Sequence, residues 1–99
     1  MGILQEKQSQ FVKKIALLIL FAYDQGYELT FGDAYASTGH KIGSYHYKRL
    51  AIDLNIFRDG KFLEETKDHG PLGLFWESLG DQCTWGGNFN DGNHYSYTE

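Results

Sequence analysis

The chain has one cysteine, one proline and no long apolar run, and its cations are outnumbered by its anions. Each shortage excludes something. The lone Cys83 rules out an internal disulfide and any cysteine-rich zinc ribbon, so metal ligands would have to come from the four histidines and the carboxylates. Cys83 itself reads as a buried structural thiol rather than a nucleophile. The longest apolar run, Ile15 to Tyr23, falls short of the roughly 20 residues a membrane span needs. Nine Lys and Arg against thirteen Asp and Glu leave a net charge of −4, the wrong balance for a nucleic-acid binder that neutralises phosphates. What is present is globular: 41% hydrophobic and 16% aromatic residues without a low-complexity tract. With 99 residues there is room for one core, a single domain over residues 1–99. A domain of this size buries only about two-thirds of its unfolded surface, so nearly every apolar segment must contribute.

The run after Lys13-Lys14 also has the outline of a signal peptide, with Ile15 to Ala22 as its apolar region. No small-x-small cleavage site follows, only Tyr23-Asp24-Gln25-Gly26, and removing the segment would take a quarter of a chain already short of core. A buried helix is the better reading, and it places synthesis in the cytoplasm without a signal peptide. Phe11, Ile15, Leu18 and Ala22 recur at helical spacing, with Val12 and Ile19 widening the stripe. One amphipathic helix is therefore expected over the first 25 residues, stopped at Gly26.

Tyr27 to Phe31 alternates and is rich in β-formers, which predicts a strand. A polar, glycine-containing connection runs from Gly32 to Gly43. Leu50 to Phe57 then alternates again as a central strand, with Leu50, Ile52, Leu54 and Ile56 on one face and Ala51, Asp53, Asn55 and Phe57 on the other. Arg58-Asp59-Gly60-Lys61 is an Asp-Gly turn leading into a short strand at Phe62-Leu63. Pro71 opens a second helix through Leu79, ended by Gly80, with Leu72, Phe75, Trp76 and Leu79 on one face. Two edge segments, Thr84-Trp85 and His94 to Tyr97, complete an α+β fold in which two helices pack on a small, mostly antiparallel sheet.

Asp53 is the anomaly in this pattern. An unpaired carboxylate inside an apolar strand costs several kcal/mol, so a cation or an arginine should compensate it. His46 lies seven residues upstream and His94 on a late segment that could pair nearby. Two neutral imidazoles and one carboxylate make a three-ligand zinc set with a fourth position open, the arrangement of a Lewis acid that activates water. Asp91 precedes His94 by three residues across Gly92, a spacing that suits a general base beside the metal, though Asp-Gly-Asn also makes an Asx turn unaided. His69, between Asp68 and Gly70, reads as surface at a helix start. Phe75 and Trp76 are most simply core, while Trp85, Phe89 and Tyr95 bracket the proposed site and suit a cleft wall or core equally.

Ser44-x-His46-x6-Asp53-Leu54, followed by Trp85-Gly86-Gly87-x-Phe89-x-Asp91-x-x-His94, resembles the zinc D-alanyl-D-alanine carboxypeptidases and the phage L-alanyl-D-glutamate endopeptidases, the VanY-like enzymes of the Hedgehog/DD-peptidase fold. The likeness covers the chain from about Tyr27 to Tyr95. It implies that His46, Asp53 and His94 bind Zn2+, that Asp91 is the catalytic base, and that Ser44 is a supporting or substrate-contacting hydroxyl. Trp85 and Gly86 would belong to a wall of the cleft, the glycine admitting the substrate backbone closely. The implied substrate is the peptidoglycan stem peptide, cleaved by a monomeric hydrolase that acts on the cell wall after holin-type release.

One departure stands out. Many members carry an arginine where Ala36 stands here, and one lost oxyanion donor typically costs about 10²–10³ in rate. His40, Lys41, Lys48 or Arg49 could supply the missing charge; His40, four residues before Ser44 in the same loop, is the most interesting of them, although a plain surface role is its simpler reading. The departure keeps a second class of function in view, a non-catalytic zinc module that binds a peptide or protein partner on the same fold. A third reading keeps the metal for structure alone, so that chelation would unfold the chain.

Overall fold

The structure, a computed structural model, describes residues 1–35, 38–40 and 43–98. Helix α1 spans Ile3–Asp24 and buries Phe11, Ile15, Leu18 and Ala22, the four positions its periodicity singles out. Val12 lies outside the buried stripe at 65% exposure, so the apolar face is narrower than the sequence suggests. The helix ends in a Schellman motif. Gly26 takes φ 89°, its N–H bonds to the Tyr23 carbonyl, and the Tyr27 N–H reaches back to Ala22. Tyr27 is thereby tucked into the core.

Strand β1 (Glu28–Phe31) pairs antiparallel with β2 (Ala51–Arg58), and β2 turns through Asp59-Gly60 into β3 (Lys61–Leu63). Both turn residues have positive φ, 53° and 76°. That is the twist a two-residue hairpin needs and the reason Asp-Gly suits it. Helix α2 (Gly70–Ser78), β4 (Cys83–Trp85) and β5 (His94–Tyr97) follow. The order across the sheet is β1-β2-β5-β4, with β3 also on β2. The fold is thus α+β: two helices on a small antiparallel sheet of five strands, counted among the described residues. Strand β5, read from sequence as an edge, is interior, because β4 covers its outer side.

Leu54, Ile56, Leu72, Trp76 and Tyr95 are fully buried between the helices and the sheet, with Leu18 and Ala22 of α1 against them. The Trp76 indole N–H donates to the carbonyls of Thr84 and Ser96 at 3.2 Å each, so its polar atom is satisfied inside the core. Cys83 is a buried free thiol, and burial raises its pKa. Both observations fit packing rather than nucleophilic chemistry. No helix of the described residues is long and apolar enough to cross a membrane.

Candidate metal centre

Because successive strand residues face opposite ways, the apolar face of β2 builds the core and turns Asp53 toward the other side. The β2–β5 register sets Asp53 directly across from His94. His46 arrives on a 3-10 turn, Tyr45–Lys48, whose N-cap is Ser44; the Ser44 hydroxyl accepts the His46 backbone N–H at 3.3 Å. Ser44 therefore positions a candidate ligand by capping the turn that carries it. Arg49 closes the turn in the left-handed region at φ 57° and leads straight into β2.

Three donor atoms converge as a result. His46 Nε2 is 3.1 Å from His94 Nδ1 and 3.2 Å from Asp53 Oδ1, and His94 Nδ1 is 3.4 Å from that same oxygen. As hydrogen bonds this triangle does not close. A carboxylate only accepts, and two nitrogens facing each other share at most one proton, so one edge always lacks one. Asp53 Oδ1 is sealed from solvent and makes no hydrogen bond. Donors held at about 2.0–2.1 Å on the corners of a tetrahedron stand roughly 3.3 Å apart, which is the size of this triangle. Burial pushes the His46 imidazole below its ordinary pKa, the Asp53 charge opposing it, and a neutral ring is the form that offers a lone pair. The group of His46, Asp53 and His94 can hold a metal ion.

Asp91 is placed differently from the three. Its backbone carbonyl accepts the His94 N–H at 3.1 Å, but its side chain is exposed and lines a neighbouring cavity. The turn that carries it is tightly held. The Asp91 N–H bonds to Gly86, the Trp85 indole N–H donates to the Gly92 carbonyl at 2.7 Å, and the Gly92 N–H donates to Thr66 Oγ1. Gly86 is buried, and a Cβ there would stand 2.3 Å from the Asp91 carbonyl oxygen and 2.9 Å from His94 Cβ. The close approach Gly86 permits is that of the protein's own chain. The Trp85 ring lies against Gly73 and Gly87, so it wedges this turn onto α2.

His40 stacks on His46 with ring centroids 4.2 Å apart, and its Nε2 is 3.0 Å from Asp33 Oδ2. The Asp33 carbonyl in turn accepts the Asp53 N–H. His40 is thus stacked beside the centre rather than at a plain surface position, and Asp33 joins it without having been singled out. Arg49 and Lys48 lie over the rings of Tyr35 and Tyr45. Ala36 and Lys41 are outside the described residues. His69 corrects the surface reading: it is 3% exposed and bonded through Nδ1 to the Tyr95 hydroxyl. The sequence held one hint of this, a histidine set immediately before a proline-opened helix. Tyr95 is core, whereas Phe89 is exposed.

Fold and centre together define a class, a small α+β protein with a two-histidine, one-carboxylate site. No protein-family model matches the chain, and no curated protein matches it significantly.

Proposed function

We propose that the chain is a zinc-dependent peptidase of the VanY-like kind, hydrolysing a peptide bond of the peptidoglycan stem peptide. The observation that carries the reading is the triangle of His46 Nε2, Asp53 Oδ1 and His94 Nδ1, with edges of 3.1–3.4 Å, at the positions the two half-motifs assign to ligands. Zinc held there would supply Lewis acidity toward a substrate carbonyl and lower the pKa of water.

The remaining roles fall to the chain itself. His46 stays neutral through burial and is aimed by the Ser44 cap. Asp53 contributes the negative charge that ties a dication to two neutral rings. Asp91, on the turn that enters β5, takes the proton of the attacking water and returns it to the leaving amine as the C–N bond breaks. His40, steadied by Asp33, lies against His46 and offers a polar ring beside the centre.

Purified protein is expected to contain about one zinc per chain and to digest defined muropeptides, losing activity to a chelator and regaining it with zinc. Elemental analysis is decisive for the ion, because ferrous iron also takes two histidines and one carboxylate. Full activity in His46→Ala and Asp91→Ala would refute the mechanism. The exposure of Asp91 favours one second reading, a zinc module that binds peptides without cleaving them. Bound zinc with no turnover on a muropeptide panel would establish it.

A further inference from the structure

One side of β2 changes partner midway. Ala51 to Asp53 pair with β5 and Ile56 to Arg58 pair with β3, and in the interval the Leu54 N–H bonds to the Asn93 carbonyl at 2.9 Å. A cavity of about 170 Å³ opens there, walled by Asn55, Leu63, Thr66, His69, Asp91 and Asn93. Asn55 lies two residues from Asp53 on the same face of β2, and Asn93 immediately precedes His94, so two wall residues are close chain neighbours of the metal ligands.

His69 is the buried polar group in this wall. Its Nδ1 stands 2.7 Å from the hydroxyl of Tyr95, and burial pushes the ring down to about 4, so it is neutral with one proton. The position of that proton follows from the phenol. Tyr95 is 0% exposed, and His69 Nδ1 is its hydroxyl's partner among the described residues. Were Nδ1 protonated, the phenol hydrogen would be buried with nothing to receive it. The phenol therefore donates to Nδ1, and Nε2 carries the N–H. Among the described residues Nε2 has no protein partner, yet the sealed unsatisfied atoms there are His46 Nδ1 and Asp53 Oδ1 alone. The cavity that His69 lines is the space this leaves for it to reach.

We infer that this cavity is the subsite for the leaving side of a peptide substrate, with the His69 Nε2–H donating to the carbonyl of the residue whose amine is released, and that it takes this residue as an amide rather than as a free carboxylate. The inference rests on the peptidase reading, in which Asp91 hands the proton to that amine. Among the described residues the wall contains no Lys or Arg, and His69 is neutral, whereas Asp91 and Glu64 are both carboxylates. A terminal carboxylate would meet two like charges and no cation, while the Asn and Thr side chains match the edge of an amide. The chain is accordingly an endopeptidase, cutting where the stem peptide continues beyond the scissile bond, rather than a carboxypeptidase.

The test titrates the protein with D-alaninamide and, separately, D-alanine, following the His69 ring nitrogens by 15N NMR. Before any addition, Nδ1 should resonate as an acceptor and Nε2 as protonated. D-Alaninamide should shift Nε2, and D-alanine should bind at least about tenfold more weakly. His69→Phe should lose the amide preference and raise KM more than it lowers kcat, with His69→Gln, which restores an N–H, recovering part of both. A protonated Nδ1, silence toward both probes, or equal binding of the two overturns the subsite. The NMR readouts need neither zinc nor turnover. Hydrolysis that persists in His69→Phe with KM unchanged overturns the subsite and spares the peptidase, whereas probe binding without any hydrolysis overturns the peptidase and with it the leaving-side role, leaving an amide-binding pocket.

Discussion

The two buried histidine sites differ in how their donors and protons match. At His69 one proton on the phenol meets one lone pair on the imidazole, and the pair is satisfied at 2.7 Å. Around His46, three electron-rich atoms crowd within 3.4 Å and no distribution of protons fills every edge. The neighbours His94 and Tyr95 on one strand serve the two sites, since alternate residues face opposite sides of the sheet. Burial alone does not separate the sites, because both His46 and His69 are almost wholly enclosed. The proton count does. It marks one as a place for a cation and the other as a fixed neutral donor.

The comparison breaks most visibly at Asp53. Asp53→Asn should reduce zinc content and murein hydrolysis to background, while raising the stability of metal-free protein by about 1–3 kcal/mol, because an amide can donate where a carboxylate cannot. Thermal melts with and without chelator check both signs, and a metal-free variant less stable than its parent would mean that the orphaned oxygen carries no cost. Asp91→Asn should bind zinc normally and lose about 10²–10⁴ in kcat, so zinc content and rate separate ligand from base.

The satisfied site makes its own prediction in acid. The folded pKa of His69 is near 4, against an ordinary 6.5, so between these values the unfolded chain holds a proton that the folded chain does not. Stability is full above about pH 6.5, declines as pH falls toward 4, and unfolding there takes up as much as about one proton. Urea titrations at pH 7 and pH 5 should show the decline, and His69→Phe should flatten it. The smallest effect belongs to Ser44→Ala, which removes the cap on the turn carrying His46 and should cost about 1 kcal/mol. Zinc affinity should weaken with it, measured by competition with a chromophoric chelator.

Local signals made much of this molecule readable. The stripe of Phe11, Ile15, Leu18 and Ala22 predicts α1 and its buried face, Gly26 its end, and Asp59-Gly60 the β2–β3 hairpin, because each depends on neighbours within a turn or two. The alternation of β2 singled out Asp53 as out of place before any partner was known. His69 reads as surface in the sequence because its partner, the Tyr95 hydroxyl, lies 26 positions away. The interior place of β5 escaped notice for a similar reason, since only β4 folding back across it hides the outer edge.

The amino-acid pattern alone predicted the two α-helices, the strand segments and which residue types are available for a metal, but not the 3-10 turns Tyr45–Lys48, Thr66–His69 and Gly86–Phe89. Only the tertiary structure decided that residues 46, 53 and 94 share one point, because that depends on the β2–β5 register, and a slip of one residue would turn His94 to the opposite face. It also decided that β2 exchanges one partner strand for another beside that point, and the gap left by the exchange is the cavity that His69 lines.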